Sequence, residues 1–213
     1  MNVRNFRIGW RALMDDPGYS AVAVGGLAAG LATFFLLLSW VSYSFSYDTH
    51  VPDADRVVVL KHRMNLLDKP EYMELMPLPF KTAAERSGLA ESVTAAVELP
   101  GNVKVGDRTR HVPMLAVDPS FAAMFGVVAS QGNLADALSR PDALVLTAST
   151  ATALFGDGPA MGRAVHIDGI AFTVAALVPD PPGNTTVPFA ALVGTTSVAW
   201  PNDQRNEILL MEN

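Results

Sequence analysis

The side chains that could do chemistry in this chain are scattered. Four histidines, His50, His62, His111 and His166, stand far apart, and none falls in an HExxH or other short pairing that would bring two imidazoles to one metal ion. Only folding could assemble a metal site from them. No serine stands in GxSxG or SxxK, so the arrangements that activate a hydroxyl nucleophile are missing. No GxxxxGK[ST] run is present to cradle phosphates, so the chain is not itself an ATPase. The nearest glycine cluster, Gly156, Gly158 and Gly162, misses the GxGxxG spacing, and Pro159 removes a backbone donor from it. It reads as a turn. Carboxylates are plentiful, yet on an acidic domain they read as a solvated face, and no pair stands out for acid–base work. Asn184-Thr185-Thr186 fits a glycosylation sequon, which matters only in a glycosylating host. With no cysteine there are no disulfides, iron–sulfur clusters, thiolate zinc sites or cysteine nucleophiles. No catalytic residue, metal or cofactor is expected.

The elements around these residues are more informative. The chain has 213 residues, 50% of them hydrophobic and 17% charged, enough apolar mass for a folded core. A net charge of −6 argues against nucleic acid as a partner, because phosphate neutralisation needs clustered Lys and Arg. From Gly18 to Tyr47 no side chain is charged, and Tyr19–Val41 is almost wholly apolar or small. Its 23 residues would reach about 35 Å as a helix, enough to cross a hydrocarbon core of about 30 Å. A cleaved signal peptide fits less well, since the apolar run is too long and the exit VSYSFSYDTH has no A-x-A cleavage pattern. The segment reads as an uncleaved transmembrane helix spanning 18–47.

Arg4, Arg7 and Arg11 precede that helix against only Asp15 and Asp16, whereas residues 48–213 carry twelve basic and nineteen acidic side chains. By the positive-inside rule the N-terminus lies in the cytoplasm and residues 48–213 lie outside. Trp40, Tyr43 and Tyr47 fall where an outer aromatic belt belongs. Val3, Phe6, Trp10 and Leu13 recur at helical spacing with the three arginines rotated away from them. Residues 1–17 thus read as an amphipathic interfacial helix, or as a basic flank that only sets topology. Phe6, Trp10, Arg4, Arg7 and Arg11 are its candidate membrane or coupling surface. Within the span, Gly26 and Gly30 form a GxxxG pair that would admit a neighbouring helix, against the plain reading that small residues are common in membrane helices. Asp16-Pro17-Gly18 marks a turn or helix start between the two segments.

Beyond residue 48 the signals are mixed. Arg56–Lys61 is β-branched and reads as a strand, and Pro79–Ser87 as a short helix. Val93–Leu99 and Val103–Val117 read as extended, with turn signals at Pro100-Gly101 and Gly106-Asp107 that predict a hairpin pair. Short helices are expected at Pro119–Phe125 and Ser149–Phe155, the latter capped by Thr147 or Ser149 and stopped by Gly156. A buried strand is expected at Ala143–Leu146. Asp168-Gly169 between Arg163–Ile167 and Ala171–Val178 predicts a type I′ hairpin, and Pro179–Thr186 a rigid polar loop. The fold class is α+β: one N-terminal transmembrane helix, then a mixed α/β domain of mainly antiparallel strands over 48–213.

Several stretches, in order, resemble one family. The start NFRIGWRALMDDPGYSAVAVGGLAAGLATFFLL is similar to the basic amphipathic helix, Asp-Pro turn and Gly/Ala-rich span that open ABC transporter permeases of the FtsX-like or MacB-like type. Ser46-Tyr47-Asp48 and Pro52-Asp53-Ala54-Asp55-Arg56-Val57 resemble the family's segment leading into its first periplasmic strand. Val117-Asp118-Pro119-Ser120-Phe121 with Met124-Phe125-Gly126-Val127 and the run Leu144–Leu177 resemble later pieces of the MacB-like periplasmic core domain. One motif departs: Ala175 and Ala176 stand where Val-Gly is usual, so backbone approach there is expected to differ.

The resemblance implies a non-catalytic permease subunit in the bacterial inner membrane. Its partners would be a cytoplasmic ABC ATPase, a second permease copy (homo- or heterodimer), membrane lipid and a periplasmic adaptor in some systems. ATP hydrolysis by the separate ATPase would move the periplasmic domain mechanically, to export or extract a substrate. In the family the periplasmic domain lies between the first and second of four membrane helices, so later helices and the close of the domain are expected beyond Asn213, and the chain reads as a fragment. Two other readings stay open: a single-span anchored binding or regulatory module without an ATPase, and a membrane-anchored exported enzyme.

Overall fold

The computed structural model describes residues 15–64, 71–73, 75–77, 79–99, 101–106, 108–197 and 206–212. Residues 1–14 of the expected interfacial helix, with Phe6, Trp10, Arg4, Arg7 and Arg11, lie outside the described residues, as do Pro100 and Asp107. The chain divides into two units, Met1–Tyr47 and Asp48–Asn213.

Among the described residues the first unit holds one helix, α1 (Pro17–Ser44). Its N-terminus is set by Asp16, whose carboxylate accepts the Tyr19 N–H at 3.2 Å, and by proline at the first turn, where a missing N–H costs nothing. At 28 residues it extends about 42 Å, and none of its side chains is buried. The hydroxyls of Thr33 and Ser44 donate to the carbonyls of Ala29 and Trp40 at 2.9 and 3.0 Å, which satisfies them within the helix itself. An unpaired hydroxyl in hydrocarbon would be costly, so this back-bonding is what a spanning helix requires.

The second unit opens with a 3₁₀ turn at Ala54–Arg56, β1 (Val57–Val59) and the antiparallel pair β2 (His62–Met64) and β3 (Glu71–Met73). Next come β4 (Leu75–Pro77) and the helix α2 (Pro79–Ser87), which has the bounds expected from sequence. β5 (Ser92–Glu98), β6 (Gly101–Val105), β7 (Arg108–Val112) and β8 (Met114–Val117) then pair as one long hairpin ladder. Only the Gly106 turn closes a hairpin: β5 pairs with β8 and β6 with β7 in one unbroken register, bridged by Leu99 N–H to Met114 O at 2.8 Å. Gly101 therefore opens β6 opposite Val112 rather than closing a second hairpin.

After β8 come α3 (Ser120–Met124), β9 (Gln131–Gly132), α4 (Leu134–Ser139), β10 (Ala143–Thr147) and α5 (Ala148–Phe155), then β11 (Ala164–Ile167), β12 (Ile170–Val178), β13 (Ala191–Gly194) and β14 (Asn206–Glu212). Thr147 caps α5, and Gly156 ends it at φ +66°. Asp168 and Gly169, both at positive φ, turn β11 back on β12 as the sequence predicts. The sheet is mixed but mostly antiparallel; among the described pairs β10–β12 and β8–β13 are parallel.

The pairings close a circuit. β6 joins β7, which runs on through Pro113 into β8; β8 joins β13, β13 joins β10, β10 joins β12, β12 joins β11, and β11 returns to β6. Alternation along these strands sends one set of side chains into a first core: Val103, Val112, Ala116, Leu146, Phe172 and Val193 among them, with Ala151 and Leu154 of α5 packed on it. The other set, including Leu115, Val145 and Leu192, meets Phe121 and Met124 of α3 and Leu134 and Leu138 of α4 in a second core. Between Leu144 and Val145 the register with β12 slips by one residue, so that Val174 faces Leu144 but Ala176 faces Val145. The extra residue is Ala175, at the departure from the family pattern, and it moves β12 from contributing Phe172 and Val174 to the first core to contributing Ala176 and Val178 to the second. A side chain at Gly194 would sit 1.9 Å from the Leu138 carbonyl, so glycine there lets α4 lie directly on β13.

Candidate functional site

Asp48 is the first residue of the second unit and lies four positions beyond the end of α1. Its backbone sits at φ +54°, and its N–H donates to the Asn184 carbonyl at 3.0 Å. One carboxylate oxygen accepts the Thr186 N–H at 2.9 Å and the Thr185 hydroxyl at 3.1 Å; the other accepts the Thr186 hydroxyl at 2.7 Å. A segment 137 and 138 residues downstream is thereby clamped to the start of the domain. Burial works to raise the pKa of Asp48, and the donors from Thr186 and Thr185, with His50 nearby, outweigh it and hold the carboxylate below its usual range.

Two clefts flank this clamp and share Phe125 and Val187 as a wall. One, of about 370 Å³, is lined by Asp48, Val51, Val57, Ala96 and Leu115; the other, of about 240 Å³, by His50, Phe121, Val128, Pro181 and Phe189. Between them Gly126, at φ +64°, approaches Pro52 so closely that a methyl there would come within 2.9 Å of its ring. Two of the stretches singled out in the sequence, the one at Pro52 and the one at Phe125-Gly126, thus meet in space.

Two further carboxylates are held in the same way. Asp118, 4% exposed, accepts the Thr94 hydroxyl at 2.9 Å, the Ala95 N–H at 3.0 Å, the Ser120 N–H at 2.9 Å and the Ser120 hydroxyl, and it pairs with Lys81 Nζ at 2.6 Å. Burial alone would raise its pKa, but the Lys81 and Ser120 contacts bring it below the ordinary value. Asp180 accepts the Ser149 N–H with both oxygens, at 3.3 and 3.2 Å, and the Ser149 hydroxyl, chiefly because of which its pKa is lowered. All three carboxylates are held as anions by donors. A general acid at neutral pH needs the opposite displacement, so these groups act as anchors of the chain.

A family model for the MacB-like periplasmic core domain matches residues 20–210. The chain belongs to that family. MacB-like core domains are the periplasmic domains of ABC transporter permeases rather than classical enzymes, and here the domain follows one apolar helix long enough to span a membrane. Solved structures of similar fold include a permease-type domain from Porphyromonas gingivalis, 20% identical with a TM-score of 0.63 over 76% of this chain and 74% of that one. The periplasmic region of MacB from Actinobacillus actinomycetemcomitans is 14% identical with a TM-score of 0.58, over 78% and 75%. The extracellular domain of the noncanonic ABC-type transporter YknZ from Gram-positive bacteria is 12% identical with a TM-score of 0.55, over 66% and 73%. A search of curated proteins found no match.

Within this MacB-like chain the residues singled out from sequence do not converge. Gly26 and Gly30 lie one turn apart on one face of α1, and a methyl on either would meet nothing within 4 Å. The basic and aromatic set before α1 lies outside the described residues. Among the described residues no group of three or more metal-capable side chains comes together. The clamp at Asp48 was the residue set that sequence reasoning missed. Asp48 and the Asn184-Thr185-Thr186 loop each carry a local signal of another kind, and nothing local links them. Asp118 did carry a signal, because Asp-Pro-Ser before an apolar run is an Asx turn starting a helix.

Proposed function

We propose that this chain is part of a permease subunit of an ABC transporter, in which a separate cytoplasmic ATPase drives movement of the MacB-like periplasmic domain to export or extract a substrate. On this reading residues 1–17 form a cytoplasmic interfacial helix, 18–47 the membrane helix and 48–213 the periplasmic domain, anchored in the inner membrane. The observation that carries the proposal is the family match over residues 20–210. The clamp gives it a physical route. An exposed loop could absorb motion of the membrane helix by flexing, whereas a start fixed by Asp48 to Thr185 and Thr186 passes displacement into the fold.

Partners follow from the same reading: a P-loop ATPase, a second permease copy, surrounding lipid, and an adaptor where the system uses one. Affinity purification from native membranes through an N-terminal tag tests it. Recovery of an ATPase with a Walker motif together with permease membrane helices supports the transporter. Recovery of neither would favour a single-span module acting without an ATPase, and its ligands would then be sought on the exported domain.

A further inference from the structure

The polar loop between β12 and β13 is fastened at two points rather than one. At its beginning Asp180 takes the N–H and hydroxyl of Ser149, in the first turn of α5. At its end Thr185 and Thr186 hold Asp48, and the Asn184 carbonyl accepts the Asp48 N–H. Between the two fastenings stand Pro181 and Pro182, with Pro179 just before, and each fixes φ near −65° and removes conformational slack. The segment from Asp180 to Thr185 is thus short, stiff and tied at both ends by carboxylates. Its far end matters because α5 presents Ala151 and Leu154 to the first core.

We propose that Pro179–Thr186 is a two-point strap that couples position 48, where the chain enters the domain, to the N-terminal turn of α5. A pull on residue 48 shifts Thr185 and Thr186, and the proline run carries the shift to Asp180 and on to Ser149. Asp48 and Asp180 are positioning residues in this scheme: each acts through the loop and neither contacts a substrate. The mechanical meaning rests on the permease reading above, but the coupling is a property of the domain and can be tested without an ATPase.

The test is hydrogen–deuterium exchange on the full chain in lipid nanodiscs, comparing wild type with Asp48→Ala, Thr186→Val, Asp180→Ala and the double variant Pro181→Gly/Pro182→Gly. Asp48→Ala is expected to speed exchange about tenfold at residues 185–187 and also at Ser149 and Thr150, the size expected when charge-assisted hydrogen bonds are lost. Asp180→Ala should loosen 185–187 in return, while β10 and β12 keep their protection in both. A purely local role would confine each effect to the mutated end, and that result overturns the strap. If Asp48→Ala also loosens β10 and β12, Thr186→Val is read instead, since it keeps Asp48 and the Thr186 N–H. In the glycine background both clamps remain but the stiff link is gone, so removing Asp48 should no longer reach α5; transmission that survives there also overturns the proposal.

Discussion

Lys81 Nζ lies 2.6 Å from Asp118 Oδ2 and ties α2 to the corner where β8 turns into α3. The pair is asymmetric. Asp118 has four other donors, from Thr94, Ala95 and Ser120, whereas the second acidic contact of Lys81 is Glu85 at 3.7 Å.

That asymmetry gives the first prediction. Lys81→Met leaves a buried carboxylate still hydrogen-bonded and should cost about 1 kcal/mol, whereas Asp118→Ala strands Thr94, Ala95 and Lys81 together and should cost about 3 kcal/mol. Urea unfolding of the two variants checks the order; a Lys81 variant as damaging as the Asp118 variant would contradict it.

Acid stability follows from the same groups. Asp48, Asp118 and Asp180 all have folded pKa values below the ordinary aspartate range. A carboxylate depressed on folding adds stability at pH values above its unfolded value, and that contribution is lost as pH falls through the folded one. Stability should therefore hold down to about pH 4 and fall below it. Thermal melts between pH 7 and pH 3 on wild type and Asp118→Asn should show a shallower acid loss in the variant.

Gly194→Ala would place a methyl against the Leu138 carbonyl, backbone against backbone, with no flexible side chain to yield. We expect a loss of about 2–3 kcal/mol, the upper range for overpacking, read as a lowered unfolding midpoint. Gly183→Ala meets nothing within 4 Å and serves as the neutral comparison.

Association of the membrane helix can be separated from folding of the domain. Gly26→Ile and Gly30→Ile should reduce crosslinking between permease copies in membranes and leave the thermal transition of residues 48–213 unchanged. Equal crosslinking in the variants would remove the packing role of these glycines.

Topology is open to direct measurement because the chain has no cysteine of its own. Asp157→Cys, in an exposed turn after α5, should react with a membrane-impermeant maleimide in intact spheroplasts. Labelling only after lysis would place the domain in the cytoplasm and reverse the orientation.

What could be read from sequence was local. The long apolar helix, the helix at Pro79–Ser87, the Thr147 cap and the Asp168-Gly169 hairpin each depend on residues within a few positions of one another, and each is present. The turn signal at Gly101 does not close a hairpin, because a glycine at the start of a strand and one in a turn look alike in sequence; strand partners further along decide between them. α4 and β13 went unread: a six-residue helix has too few turns to show a period, and β13 is four buried residues. The clamp joins residue 48 to residues 185 and 186 and was invisible for the same reason, since contact across such a separation leaves no spacing rule in the sequence.

The closed circuit of strands also has a history in time. β8 ends at residue 117, and the parallel partner that seals its free edge, β13, starts only at residue 191. At about 5–20 residues per second, roughly 4–15 s pass between their emergence from the ribosome. Through that interval the β8 edge that β13 later covers is bare. Synthesis of this domain is thus a period of exposure to misassembly, and a stall between the emergence of β8 and of β13 would prolong it.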